Sequence, residues 1–291
     1  MSFSVGIVGL PNSGKSTLFK ALTKKQVAIA DYPFTTIDPN VGTVAVPDER
    51  LKKIAEVVKP EKITPTIIEF VDIAGLVKGA HKGEGMGNQF LSHIRPCDGV
   101  IEVIRAFKTA NIREEINPEK DIEIIENEFL MKDQELGDNV LTAKPRIYLF
   151  NIQSDRDPDL GTCRDPGLCI NLKDEADMLD LSKEEVKELG LRSQLDQLIL
   201  ACYNVLGLIT FFTIRGEKET RSWTLKNDSD ILEAAAKVHT DFSEKFIKAG
   251  VIPWKELIEA GSWKEAREMG KIKLVGKEYI VQDGDVIEFK I

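Results

Sequence analysis

No stretch of the 291 residues approaches the roughly 20 consecutive apolar side chains that a membrane helix requires. The opening MSFSVGIVGLP also puts no basic segment ahead of its apolar run, so neither a membrane partner nor an export leader is expected and the chain reads as cytoplasmic. Cysteine is scarce: Cys97, Cys163, Cys169 and Cys202 form no CxxC pair, and a chain of this length needs no disulfides for its core, so free, inert thiols are expected. Of the three histidines, His93 and His239 lack metal-ligand spacing and read as structural, while His81 lies in a polar loop. Positive charge is in deficit. A net charge of −9 argues against broad nucleic-acid binding, which draws its affinity from phosphate neutralisation, and no sequence-specific DNA partner is expected. Internal repeats and low-complexity tracts are absent as well.

What is present is an alternation. The runs SVGIV, TIIEFVDI, GVIEVIRAF and RIYLFNI are separated by helical stretches, which predicts an α/β fold with a mainly parallel sheet covered on both faces. NPEKDIEIIENEFLMKDQEL reads as an amphipathic helix with Ile122, Ile125, Phe129 and Leu130 on its apolar face. After LGLRSQLDQLILACYNVLG the order changes: LITFFTI, TRSWTLK, KIKLVGKEYIV and VIEFKI are short strand candidates, and DILEAAAKVHTDFSEKFIKA reads as a helix among them. A boundary is expected near residue 206, giving domains 1–206 and 207–291, the second a small α+β module.

GLPNSGKST, residues 9–17, fits GxxxxGK(S/T) between a strand and a helix, the setting in which this motif is a phosphate-binding loop. Its N–H groups and the positive end of the following helix would cradle phosphate oxygens, making Asn12, Ser13, Gly14, Lys15, Ser16 and Thr17 nucleotide-binding candidates. Lys15 would reach the β and γ phosphates, and the Ser16 hydroxyl would ligate Mg²⁺. Two further segments fit a switch-type P-loop NTPase. FVDIAG supplies Asp72 for the metal shell and Gly75, whose amide would meet the γ-phosphate; DYPFTTIDPN supplies Thr36, or alternatively Thr35, as a hydroxyl ligand available when triphosphate is bound.

These segments, with PDERL, EFVDIAGLVKGAHKGEGMGNQFLSHIR, LTAKP, FFT, HTDF and GKEYIVQDGDVIEF, resemble the Obg-like ATPases of the YchF family over nearly the whole chain. The resemblance implies a G domain of the translation-factor class, a C-terminal TGS domain, ATP used as well as or better than GTP, and association with ribosomes. Asn12 either holds a potassium ion, as the asparagine of PNxGKS does in some related GTPases, or caps the loop backbone. The chain also departs from patterns around it. Leu76 stands where Ras-like enzymes place a water-orienting glutamine, a feature the resembling family shares. The guanine-reading NKxD is missing: after RIYLF come Asn151, Ile152, Gln153 and Ser154, where the family has NxxE, and Asn171 and Leu172 stand where it has a Ser-Ala pair. Asn151 and Ile152 remain base-site candidates. The helical arm is reduced to a remnant around residues 118–140.

The expected activity is slow hydrolysis of ATP, and of GTP, with Mg²⁺, as a ribosome-associated switch; the alternative is a nucleotide-binding interaction module that does not hydrolyse. In the C-terminal module, Arg221, Trp223 and Lys226 of RSWTLK either stack on RNA or belong to the core and a solvated face, and Asp283-Gly284 predicts a tight reversal.

Overall fold

The structure, a computed structural model, describes residues 2–24, 38, 40–73, 91, 93–107, 116–153 and 166–291. Met1–Ala45 and Ile68–Leu206 form one compact unit, Val46–Ile67 and Gly207–Ile291 the other. In chain order the regular elements are β1 (Phe3–Val8), α1 (Lys15–Thr23), β2 (Val41–Ala45), α2 (Glu49–Val58), β3 (Lys62–Thr64), β4 (Ile67–Asp72), β5 (Gly99–Arg105), α3 (Pro118–Leu136), β6 (Arg146–Asn151), β7 (Gly167–Ile170), α4 (Leu172–Asp177), α5 (Lys183–Glu188) and α6 (Leu195–Val205). There follow β8 (Leu208–Arg215), β9 (Glu219–Lys226), α7 (Ile231–Val238), α8 (Thr240–Glu244), β10 (Lys248–Pro253), α9 (Trp254–Ala260), α10 (Trp263–Glu268), β11 (Lys273–Val275) and β12 (Asp285–Lys290).

The first unit is the expected α/β layer. Its sheet runs β2-β4-β1-β5-β6-β7, and the ladders β4–β1, β1–β5, β5–β6 and β6–β7 are all parallel. Every residue of central β5 is buried, as a strand covered on both faces must be. One of them is Glu102, fully buried and paired with Arg146 at 3.1 Å. Because these strands share a direction, their carboxyl ends lie along one edge of the sheet, where ligands of open α/β folds bind. That edge carries the loop after β1, Asp72 at the end of β4, Phe107 beyond β5 and Asn151 closing β6.

Helix α3 begins where Asn117 accepts the Lys120 N–H and Pro118 takes the first turn; it stops at Gly137, whose φ of 71° few other residues adopt. Ile122, Ile125 and Phe129 are buried as expected, but Leu130 is 45 % exposed. At about 100° per residue Leu130 is turned away from the core that its neighbour Phe129 enters, and the positions completing the buried face are Glu128, Lys132 and Asp133. Asp133 is buried because the turn after the helix encloses it: it accepts the N–H groups of Leu141 and Thr142 and the Thr142 hydroxyl. Lys144 donates to the carbonyls of Arg95 and Cys97. The LTAKP segment is thus a set of caps.

The second unit holds a sheet of order β11-β10-β12-β8-β9-β3, with β12–β8 and β9–β3 parallel and β11–β10, β10–β12 and β8–β9 antiparallel. One apolar cluster joins α7 to Phe211, Leu225, Ala249, Val251 and Ile287; another joins Leu51 and Ile54 of α2 to Phe212, Ile252, Leu257 and Val286. Here the structure differs from a single cut at residue 206. Residues 46–67, expected in the first domain, fold with the C-terminal unit and supply its edge strand. One local expectation is also corrected. The single helix expected over DILEAAAKVHTDFSEKFIKA breaks at His239, which is extended (φ −165°) and whose Nδ1 accepts the Asp241 N–H to start α8, and the run then enters β10. The tight reversal expected at Asp283-Gly284 is present, closed by the Asp285 N–H on Gln282 O at 3.1 Å with Gly284 at φ 93°; it leads into β12 without making a hairpin, since β12 pairs with β10 and β8. The expectation of free thiols holds for Cys97 and Cys202, which are buried; Cys169, on edge strand β7 and only half-buried, is disulfide-bonded.

Candidate active site

The loop between β1 and α1 turns on two residues. Asn12 is left-handed (φ 63°), a conformation its short amide tolerates, and Gly14 has φ 110°. A Cβ at Gly14 would also lie 2.5 Å from Asn151 Nδ2, so conformation and space both demand glycine. Gly14 is the N-cap of α1 and makes no side-chain cap bond, which leaves the first-turn N–H groups open towards the loop. Lys15, the first helical residue, is buried, and its Nζ donates to Leu10 O at 2.8 Å, folding the ammonium back over the loop.

Asp72 arrives from β4. Burial raises its pKa above the ordinary carboxylate value, with the Lys15 charge opposing; burial likewise lowers the pKa of Lys15, with Asp72 opposing. Each charge relieves the other's desolvation, and Asp72 makes no salt bridge among the described residues. A half-buried carboxylate, with the Ser16 hydroxyl in the first turn of α1, is the oxygen chemistry that suits a hard divalent cation. The donor set therefore fits Mg²⁺, although no group of three or more His, Cys, Asp or Glu that could hold a metal occurs among the described residues.

Asn151 ties the two ends of the site together. It is buried; its Nδ2 donates to Ser13 O at 3.0 Å and its Oδ1 accepts the Leu172 N–H at 3.2 Å. A cavity of about 970 Å³ runs from Asn12, Gly14, Lys15, Ser16 and Thr17 to Asn151, Ile152, Gln153 and the first turn of α4. Its volume is within the range of ligand pockets. The structure thus brings Asn12, Ser13, Gly14, Lys15, Ser16, Thr17, Asn151 and Ile152 together around one loop and cavity, with Ser13 beneath the loop. Thr36, its alternative Thr35, and Gly75 lie outside the described residues, as do Leu76, His81 and Ser154.

Sequence reasoning missed the contribution of Phe107, Lys173 and Asp174 to the cavity wall. The available signal was position: each follows the carboxyl end of a parallel strand. In the second unit Trp223 is a packing residue. It stacks on Phe211, donates from Nε1 to Thr213 Oγ1 at 2.8 Å, and is covered by the Arg221 guanidinium 4.2 Å from its centroid.

A family model described as 50S ribosome-binding GTPase matches residues 4–151, and the YchF-GTPase C-terminal model, described as a protein of unknown function, matches residues 208–291. The ribosome-binding ATPase YchF of Bacillus subtilis is 39% identical over 364 aligned positions, which take in 100% of this chain and 99% of the relative. Its counterpart in Escherichia coli O157:H7 is 38% identical over 99% of each chain. The solved YchF GTPase of Schizosaccharomyces pombe superposes with a TM-score of 0.84 at 33% identity, covering 99% of this chain and 98% of that one. Since 364 positions are needed to align 291 residues, the Bacillus relative carries interior segments that this chain lacks. Among the described residues, no helix is long and apolar enough to cross a membrane.

Proposed function

This chain belongs to the YchF family of P-loop NTPases, and from that premise we propose that it binds and slowly hydrolyses ATP, with GTP as a further substrate, as a ribosome-associated regulatory switch in the cytoplasm. The observation that carries the proposal is the placement of Lys15 as the first residue of α1, at a helix N-terminus without a side-chain cap, and of Asp72 at the end of parallel strand β4, each opposing the other's desolvation. In this reading Lys15 exchanges Leu10 O for the β and γ phosphate oxygens, and the first-turn N–H groups of α1 receive phosphate charge. Ser16, Asp72 and Thr36 would hold Mg²⁺, which would supply positive charge to offset that of the triphosphate. Gly75 offers its amide to the γ-phosphate, and Asn12 is the candidate potassium ligand.

Asn151 serves the base site by holding the phosphate loop to α4, with Ile152 beside it. Leu76 has no hydrogen-bonding group with which to orient water, which accounts for slow turnover. Residues 207–291 act as a TGS-like module. Phosphate release by purified protein with Mg²⁺ and either nucleotide tests the proposal. Measurable turnover that Lys15→Ala abolishes supports it; tight ATP binding with no release identifies the chain as a non-hydrolysing interaction module.

A further inference from the structure

We infer that Asn171 is a specificity-determining residue at the base end of the cavity, where it disfavours purines carrying an oxygen at C6. The inference rests on the nucleotide-binding reading above. Four residues lining that end have their backbone N–H groups committed within the protein. Ile152 donates to Ile170 O at 3.1 Å and Leu172 to Asn151 Oδ1 at 3.2 Å, while Lys173 and Asp174 both donate to Asn171 Oδ1, at 3.1 and 3.2 Å. Asn171 Nδ2 in turn donates to Gln153 O at 2.9 Å. One side-chain amide therefore occupies two of the four donors and ties α4 to the segment after β6.

Guanine and hypoxanthine present an acceptor at C6, which must find a donor once it leaves water; adenine presents an amino group there and needs an acceptor. Among the described residues, a 6-oxo purine at this end must displace Asn171 from an N-cap that asparagine fills well, or rely on the exposed side chains of Gln153 and Lys173. Adenine places no acceptor at C6, and the exposed Asp174 carboxylate on the same wall can accept from its amino group. The donors of Ile152 and Leu172 cannot be released without disturbing a strand ladder or Asn151, which also holds the phosphate loop. At Asn171 a single side-chain change frees two amides and leaves that loop untouched.

The test is calorimetric titration of ATP, GTP and ITP, each with Mg²⁺, against the unmodified protein, Asn171→Ala and Asn171→Ser. ITP has the C6 oxygen without the 2-amino group, so it separates the two features of guanine. Asn171→Ala is expected to raise GTP and ITP affinity together, relative to ATP, by about three- to tenfold, the worth of one hydrogen bond. Asn171→Ser keeps a capping oxygen on the amides but does not reach Gln153, and should retain the unmodified ratios. Unchanged ratios in Asn171→Ala, a rise for GTP without ITP, or an equal rise in Asn171→Ser overturns the inference while leaving nucleotide binding in place. Failure of the unmodified protein to bind any of the three overturns the nucleotide reading and this inference with it. A measurement on the unmodified protein needs no variant to fold: the triphosphate of unsubstituted purine riboside should bind more tightly than ITP, and the reverse order overturns the inference.

Discussion

At the scale of single residues, the site holds charges that the fold alone would rather not hold. Asp72 has a raised pKa, so its contribution to stability is present in full below the unfolded carboxylate pKa and is lost as pH rises through the folded value. Lys15 has a lowered pKa, which places its own cost on the low-pH side of that value. At neutral pH both ionised groups carry a desolvation penalty that a cation and phosphates would relieve. Asp72→Asn should therefore leave the free protein as stable as before, or raise its unfolding free energy by up to about 1 kcal/mol, while removing the extra stability conferred by Mg²⁺ and ATP. Thermal melts with and without Mg²⁺ and ATP check this; a free protein destabilised by Asp72→Asn would show that the carboxylate is held by partners not accounted for. The positions of Lys15 and Ser16 at the start of α1 and of Asp72 at the end of β4 were legible in the sequence because motif spacing fixes them. The bonds of Asn151 and Asn171 were not, because an amide can meet either a base or backbone groups and spacing does not distinguish them.

At the scale of elements, apolar periodicity located the strands of the first sheet and the body of α3, and failed where polar groups are buried. Glu128, Lys132 and Asp133 complete the inward face of α3, and a pattern of apolar residues cannot register them. Asp133 is tolerated there because its acceptors meet the backbone of residues eight and nine positions further on, after the chain has turned back at Gly137. Replacing it by alanine would leave the N–H groups of Leu141 and Thr142 unpaired in a closed turn. Asp133→Ala should cost about 2–4 kcal/mol in urea unfolding, and Asp133→Asn less, since the amide oxygen still accepts. Equal losses for the two would show that the charge, facing Arg95 at 3.9 Å, is what matters. The same limit explains α7 and α8: the periodicity of that stretch survives across His239, but the cap that interrupts it is a side-chain bond which no period reveals.

At the scale of the whole molecule, the boundary after residue 206 was visible as a change in the order of elements, whereas the departure of residues 46–67 into the second unit was not. Its strand is three residues long, and its ladder partner lies more than 150 positions away, at Glu219–Arg221. Two segments far apart in sequence, PDERL and VQDGD, meet in this unit. Arg50 donates to Asp48 through Nε and Nη2 and to Asp283 through Nη1 at 2.6 Å, while Asp283 also accepts the Thr210 N–H at 2.9 Å. Burial works against the Arg50 charge, but the bonds to Asp48 and Asp283 outweigh it and hold the guanidinium above its ordinary pKa. The guanidinium also lies 5.5 Å from the Phe212 ring centroid. Asp48 is the N-cap of α2 and its side chain is 8% exposed, with that of Arg50 partly buried, whereas the Asp283 side chain is 52% exposed, so the stronger half of the network is the one inside the inserted segment.

Arg50→Ala should accordingly destabilise the second unit by about 1–3 kcal/mol, less than a fully buried pair would lose. Lysine should not rescue it, since an ammonium cannot reproduce the forked contact. All three tryptophans, Trp223, Trp254 and Trp263, lie in this unit, so tryptophan fluorescence during urea unfolding reports on it directly. Combining Arg50→Ala with Asp283→Ala should give a loss smaller than the sum of the separate losses, because both remove the same ion pair. Full additivity would mean that α2 is retained by the packing of Leu51 and Ile54 alone, and that Asp283 serves only the Thr210 N–H.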